Sequence, residues 1–157
     1  MSPEIDLSGA KLNSEDIKNL SRVVTDYKIS VTHLNLSHGL DFKDKSISQE
    51  LTQFLQNIPT LKSLNLSGCL FSNTEMDRVF EALEKICLTS LDLSETYSLT
   101  SGLCAYLDKA PQLKSLNLRN NKGDIASFVK LVDVLANHPS LASLNLEEND
   151  IDDASLM

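Results

Sequence analysis

A short pattern of leucines recurs along the chain at nearly even intervals, and it constrains the fold more than any other feature. The segment 31–37 reads VTHLNLS, and it returns as LKSLNLS, LTSLDLS, LKSLNLR and LASLNLE after a degenerate copy near the start. The copies lie 29, 30, 27, 25 and 28 residues apart when measured between the equivalent positions Ile5, Leu34, Leu64, Leu91, Leu116 and Leu144. Such a period predicts a solenoid, in which each unit buries its apolar side only by stacking on its neighbours.

Each repeat is predicted to hold one short strand and one helix. The LxL motif has the period of a strand, so its leucines face one side and the residue between them faces the other. Two helix starts carry a capping-box pattern, at Ser46–Gln49 and Ser72–Glu75. The segments between the motifs change to helical spacing, with predicted apolar positions Ile17, Leu20, Val23, Val24 and Tyr27; Ile47, Leu51, Phe54, Leu55 and Ile58; and Met76, Val79, Phe80 and Leu83. The predicted architecture is α/β, with a parallel inner sheet and outer helices.

The full unit, LxxLxL with a polar turn and then LxxxLxxxPxL, resembles the leucine-rich repeat of the ribonuclease-inhibitor-like subclass. Its second half is complete at Leu51, Leu55, Pro59 and Leu61; at Leu103, Leu107, Pro111 and Leu113; and at Leu131, Leu135, Pro139 and Leu141. The resemblance implies one leucine-rich-repeat domain over residues 1–157, a solenoid of about six repeats. Its strands are expected near residues 4–8, 33–37, 63–67, 90–94, 115–119 and 143–147.

One departure from the family concerns the asparagine of the turn. Asn121 and Asn149 keep it, whereas the earlier repeats have Ala10, Gly39, Cys69 and Thr96 there. The ladder of inward side chains is therefore expected to be incomplete, with a looser N-terminal half.

Charge and cysteine content exclude several classes of partner and site. The 14 Lys and Arg residues against 22 Asp and Glu residues give a net charge of −8, which repels nucleic acid and anionic membrane surfaces. The first residues carry no secretory signal pattern, and no apolar run approaches the roughly 20 residues of a membrane span. Cys69, Cys87 and Cys104 lack CxxC spacing, so they are interpreted as buried free thiols in a cytoplasmic, reducing location.

The sequence predicts no catalytic site, cofactor or metal site. His33 is expected on the concave face near Asn35, Ser63 and Asp6, an arrangement better explained by an open, solvated sheet than by catalysis. Residues 147–153 hold five acidic side chains without the glycine or DxDxDG spacing of a calcium loop. They are interpreted as a solvated acidic edge or a contact for a basic partner, with calcium as the alternative. The chain is predicted to be non-enzymatic.

A partner is expected on two surfaces. The first is the concave face, whose central column is Asp6, Asn35, Asn65, Asp92, Asn117 and Asn145 and whose candidate contacts also include His33 and Arg119. The second is a rim patch in the strand-exit loops, formed by Leu40, Leu70 and Tyr97 with Phe42 nearby. The alternatives are a merely solvated polar sheet and loop side chains that fold back into the core.

The resemblance implies a protein partner. Modules of this type occur in cytosolic inhibitors, innate-immune sensors, actin-regulatory proteins and effectors that bacteria deliver into host cells, and the last is the favoured setting. The alternative is a substrate-recruiting arm of a larger enzyme such as a ubiquitin ligase. Since the last unit stops where a helix is expected, the sequence also predicts a longer repeat array, with self-association through the C-terminal repeat as the alternative.

Overall fold

The computed structural model describes residues 3–97, 99–123 and 125–149, in which strands and helices alternate. The strands all run parallel in one six-stranded sheet, and their order in the sheet is their order in the chain. The elements are β1 (Glu4–Asp6), α1 (Ser14–Asp26), β2 (His33–Asn35), α2 (Ile47–Gln56), β3 (Ser63–Asn65), α3 (Asn73–Leu83), β4 (Ser90–Asp92), α4 (Ser101–Asp108), β5 (Ser115–Asn117), α5 (Ile125–Ala136) and β6 (Ser143–Asn145).

The strand register confirms the alignment of the repeats. Each pair of neighbouring strands places equivalent residues opposite each other, from Ile5 against Leu34 to Leu116 against Leu144. All strands lie inside the predicted ranges but are only three residues long. The leucines of the central strands face the helices and are buried, each worth about 1.5–3 kcal/mol of transfer free energy.

The strands are short because every described repeat bends at the same place. The bend residue follows the middle residue of each LxL motif by three positions. It adopts a left-handed backbone conformation, with φ between 49° and 71°. The bend residues are Gly9, His38, Gly68, Glu95, Asn120 and Glu148. For a residue with a side chain, this left-handed conformation costs roughly 1–2 kcal/mol. The regular bend returns the chain toward the helix layer.

The ladder of inward side chains at the turn position, which we call the turn ladder, is more complete than the two asparagines alone predict. The amide of Asn121 donates to the carbonyls of Leu93 and Leu118, and Asn149 does the same one repeat later. Thr96 and Cys69 also donate to backbone carbonyls through their hydroxyl and thiol. The ladder therefore runs through the last four repeats.

The second repeat contributes no side chain to the turn ladder, because Gly39 leaves no room for one. A side chain at Gly39 would place its Cβ 2.5 Å from the carbonyl oxygen of Leu7. Only glycine lets the second turn approach the first this closely, since the backbone itself fills the space. The first two repeats are joined instead by backbone bonds, including Leu12 N–H to the Gly39 carbonyl at 2.7 Å.

The helices follow the predicted spacing with two corrections. All predicted apolar positions of α2 and α3, together with Ile58, are buried, but Val23 and Tyr27 of α1 are exposed because they face away from α2. The capping box at Ser72 and Glu75 is present. The one at Ser46 is wrong, since the Ser46 side chain makes no cap bond and its N–H donates to Asp44. A further box at Asn13 and Asp16 begins α1.

We expect two alanine substitutions to separate core from surface leucines. Leu91→Ala should lower the free energy of unfolding by about 3 kcal/mol, because it leaves a cavity under the sheet. Leu70→Ala, in the neighbouring exit loop and half exposed, should change it by no more than about 0.5 kcal/mol. Urea denaturation of both variants measures the difference, and equal destabilisation would contradict the assigned burial.

Candidate functional site

In every repeat, the central-column residue of the concave face hydrogen-bonds to its own backbone. A side-chain oxygen of each member accepts the backbone N–H two residues further on, at 2.9–3.0 Å, and the members are Asp6, Asn35, Asn65, Asp92, Asn117 and Asn145. These bonds satisfy backbone donors just after each strand, where the sheet bonding ends. The column therefore offers a ligand its remaining donors and acceptors only.

The middle of the face is a hydrogen-bonded network. The Ser94 hydroxyl lies 2.8 Å from the Ser67 hydroxyl and 2.7 Å from a carboxylate oxygen of Asp92. The amide of Asn117 donates to the other oxygen of Asp92 at 3.0 Å. With Ser94 buried, this cluster is held in one arrangement before any partner arrives. Asp92 and Asn117, both predicted contacts, are its members.

His33 lies at the N-terminal end of the face, but its neighbours differ from the predicted set. Its Nδ1 atom is 3.0 Å from the Thr32 hydroxyl and 3.8 Å from a carboxylate oxygen of Glu4. Within the described residues, no hydrogen bond joins this ring to Ser63 or Asp6. His33 is a half-exposed polar side chain available to a ligand.

Arg119 is tied to the acidic edge of the last repeat. Its guanidinium donates to the carboxylate of Glu148, and Nε lies 3.8 Å from Glu147. The hydrogen bond to Glu148 raises the pKa of Arg119 above its usual value, with a smaller contribution from the charge of Glu147. Arg119 is thus positioned by two carboxylates, and a partner carboxylate would compete with both.

The other acidic residues of this edge, Asp150, Asp152 and Asp153, lie outside the described residues. Within the described ranges, no group of three His, Cys, Asp or Glu side chains is arranged to hold a metal ion.

The rim patch is divided by the structure. Leu70 and Tyr97 are 52% and 53% exposed, whereas Leu40 is 6% exposed, so its prediction as a rim side chain is wrong. Leu40 forms a parallel bridge with Leu12, because the tight approach at Gly39 draws this loop against the first repeat. Leu40 belongs to the core.

Phe42 supports the rim from below. It is partly buried and meets the ring of Phe71 edge to face, with centroids 5.2 Å apart and planes at 81°. Phe71 is itself buried and directly follows Leu70. The aromatic pair therefore anchors the loop that presents Leu70.

Tyr97 has an unusual backbone. Its φ of 55° is left-handed, a conformation that costs a bulky residue about 1–3 kcal/mol and persists only where the surroundings enforce it. The preceding Thr96 is buried and bonded through its hydroxyl to the Leu93 carbonyl. Tyr97 is thus held outward by a turn fixed one residue earlier.

The convex side carries a groove that the sequence did not indicate. It encloses about 730 Å³ between α2, α3 and α4, and its walls carry charges of both signs, including Arg78, Glu81 and an ion pair of Lys109 with Glu84 at 3.1 Å. Open and lined by charges, this groove is a weaker candidate site than the rim.

Two of the three predicted buried thiols are buried. Cys69 and Cys104 are inside, but Cys87 is exposed, so the prediction for Cys87 is wrong. It lies between the buried Ile86 and Leu88, in an extended connection where alternate side chains point to opposite sides. Burial raises the pKa of Cys69 to about 12 and also raises the pKa of Cys104.

We expect native alkylation at Cys87 alone. Iodoacetamide reacts with accessible thiolate, so mild alkaline treatment should label Cys87 while Cys69 and Cys104 stay unmodified until the protein is denatured. Peptide mass spectrometry at successive times measures the labelling. Labelling of Cys69 as fast as Cys87 would contradict the burial of the turn ladder.

The comparisons with known proteins concern the C-terminal repeat. A family model described as Leucine Rich repeat matches residues 137–157, and no curated protein matches the chain. No helix in the described part of the chain is long and apolar enough to cross a membrane. Proteins built from this repeat generally act as protein-binding modules. Taken with the six parallel strands and five alternating helices, the match supports a leucine-rich repeat protein with an open α/β solenoid fold.

Proposed function

We propose that the chain is a non-enzymatic interaction module that binds a protein partner through its concave face and strand-exit loops. The observation that carries the proposal is a pair of exposed apolar side chains, Leu70 and Tyr97. They lie in the loops that leave the neighbouring strands β3 and β4. Neighbouring strands lie roughly 5 Å apart, so one partner side chain can contact both. Tyrosine is enriched among the residues that dominate binding energy at interfaces.

The rigidity of the two loops supports this role. Leu70 lies between the buried residues Cys69 and Phe71, and Tyr97 follows the buried Thr96. Presenting an apolar side chain from a fixed backbone reduces the entropy lost on binding. The strained φ of Tyr97 is consistent with a position kept for binding rather than for stability.

The concave face next to the rim supplies polar contacts. The side chains of Asn35, Asn65, His33 and Arg119 lie along the sheet, where their polar groups can hydrogen-bond to a partner. Acidic side chains outnumber basic ones on this face and its bends, with Glu4, Asp6, Asp92, Glu95, Glu147 and Glu148 against Arg119. This balance favours a partner segment that carries Lys or Arg, since complementary charge speeds encounter and selects partners.

Binding explains the polar residues of the face better than catalysis does. The central-column side chains bond to their own backbone, and the Ser94 network is satisfied internally. A nucleophile needs a base within hydrogen-bond reach that a third group orients through its other side. Thr32 and Glu4 both lie at the same ring nitrogen of His33, Nδ1, so Glu4 does not orient the ring toward Thr32. Polar groups that hydrogen-bond to the backbone and to each other fix the conformation of the surface.

Two settings for the module remain proposals drawn from its resemblance to the ribonuclease-inhibitor-like subclass. In one, the chain is a bacterial effector acting in the cytoplasm of a host cell. In the other, it recruits substrates for a larger enzyme such as a ubiquitin ligase. The fate of the bound partner distinguishes the two settings, because a recruited substrate is modified by the larger enzyme and a target that the module only binds is not.

We expect the double substitution Leu70→Ser and Tyr97→Ser to weaken partner binding by at least about tenfold, or about 1.4 kcal/mol. The partner is first identified by affinity capture from eukaryotic cytosol with quantitative mass spectrometry. Its affinity for purified wild-type and variant chains is then measured by calorimetry.

The matched control is Val23→Ser and Tyr27→Ser, which removes two exposed apolar side chains from α1 and should leave the affinity unchanged. A folded rim variant that binds as tightly as wild type would exclude the rim. A further variant, Asn65→Arg, then tests the concave face alone.

A further inference from the structure

The ring of His38, in the second repeat, lies across the turn of the third repeat. A Cβ atom added at Gly68 would overlap this ring, since it would lie 2.7 Å from Nε2 and closer still to Cε1 and Nδ1. No side chain fits in that space, so the ring lies directly against the Gly68 backbone. Glycine at the third bend therefore allows His38 to reach past the neighbouring repeat.

The His38 ring ends beside Glu95 of the fourth repeat. Its Nε2 atom is 3.9 Å from a carboxylate oxygen of Glu95, and both side chains are partly exposed. His38, Gly68 and Glu95 are the bend residues of three successive repeats, so the contact spans two strand spacings, or roughly 10 Å. A separation of 3.9 Å is too long for a hydrogen bond. The ring is therefore a loosely held neighbour of the carboxylate, which a ligand can displace.

The Glu95 carboxylate has unused capacity to accept hydrogen bonds. Within residues 3–97, 99–123 and 125–149, no hydrogen bond ends on this carboxylate, and its nearest recorded ionic neighbour is His38. Arg119, in the next repeat, donates to Glu148 instead. That hydrogen bond is the main reason for the raised pKa of Arg119, and the charge of Glu95 contributes least to it. Glu95 thus presents a negative charge to solvent.

Glu95 lies next to the exposed apolar pair of the rim. Thr96 is buried, whereas Glu95 and Tyr97 on either side of it are partly exposed and 53% exposed. Leu70 has the equivalent place after Gly68 in the neighbouring turn, and it is 52% exposed. One carboxylate and two apolar side chains are therefore exposed together in two adjacent turns.

An arginine side chain matches this combination of groups. Its methylene stem is apolar and its head is charged, so the stem can cover Leu70 while the guanidinium reaches the carboxylate of Glu95. A guanidinium also stacks on an aromatic ring such as that of Tyr97, and it can bind a carboxylate through two parallel N–H groups. A lysine ammonium is a point charge without this planar geometry. The site therefore favours arginine over lysine.

We propose that Glu95, Leu70 and Tyr97 form the binding site for an arginine side chain of the protein partner, and that the His38 ring occupies part of this site in the free chain. The proposal rests on the proposed function, because it names the partner residue that the rim receives. Charge complementarity supports the choice of occupant, since the chain carries a net charge of −8 and attracts cationic segments.

Competition between His38 and the arginine makes binding depend on pH. The titratable groups in the turns around His38 are Lys11, Asp41, Cys69, Glu95 and Tyr97, with Arg119 beyond Glu95. Among these side-chain types, histidine is the one whose charge changes most between about pH 8 and pH 6. A positively charged ring beside Glu95 offsets the charge of the carboxylate. The affinity for arginine is therefore expected to fall by about threefold as the pH is lowered over this range.

Selection of phage-displayed random peptides on the full chain at about pH 8 tests the proposal. We expect the selected peptides to share an arginine beside an apolar residue. Synthetic copies, chosen without histidine, should bind Glu95→Gln about tenfold more weakly than wild type in calorimetry, because a charged hydrogen-bond acceptor is lost. Replacing the arginine by citrulline, its uncharged isostere, should weaken binding equally and make the affinity insensitive to Glu95→Gln.

Glu81→Gln is the matched control, since it removes the same charge from an exposed carboxylate of α3 in the convex groove, and it should bind like wild type. His38→Gln should bind with the same affinity at about pH 8 and pH 6, whereas wild type loses affinity. Circular dichroism verifies that every variant keeps its fold.

A library that yields no peptide dependent on Glu95 overturns the proposal. An affinity of His38→Gln that falls with pH as steeply as that of wild type overturns the competition. Peptides that require Leu70 and Tyr97 but not Glu95 exclude the arginine site and leave the proposed function in place. Peptides that bind the Leu70→Ser and Tyr97→Ser variant as tightly as wild type contradict the rim itself, and with it both proposals.

Discussion

The stacking of equivalent leucines between neighbouring repeats is the interaction on which the rest of the structure depends. A three-residue strand and one amphipathic helix cannot enclose a core by themselves, and each unit is completed by the next. The register of Leu34, Leu64, Leu91 and Leu116 buries these side chains almost completely. The positions of the bends, exit loops and concave columns all follow from that register.

The polar side chains of the concave face and the turns hold the backbone in place. The Asn and Asp residues of the central column hold the backbone after each strand, and Asn121 and Asn149 hold the turn from inside. A face built in this way is rigid before binding, so little entropy is lost when a partner is ordered on it. In the proposed function, specificity depends on exposed side chains that make no such bond, chiefly Leu70 and Tyr97.

The ends of the solenoid obey the same rule as its middle. Leu116 of β5 is 1% exposed and the equivalent Leu144 of β6 is 40% exposed, because burial comes from the following unit and not from the residue itself. An apolar residue at such a position has a stabilising effect only when something covers it.

The sequence by itself determined the number and order of the strands, their parallel register and the helices between them, because each depends on a local period of two or about four residues. It also indicated which residues form the concave columns, and two of the three side chains that it placed on the rim, Leu70 and Tyr97, are exposed. Only the tertiary structure decided that Leu40 is core, that Cys87 is exposed, and that Ser46 caps no helix. The burial of Leu40 depends on a neighbour one repeat away in sequence, since Leu12 lies against it. A local pattern carries no information about the space that such a neighbour leaves.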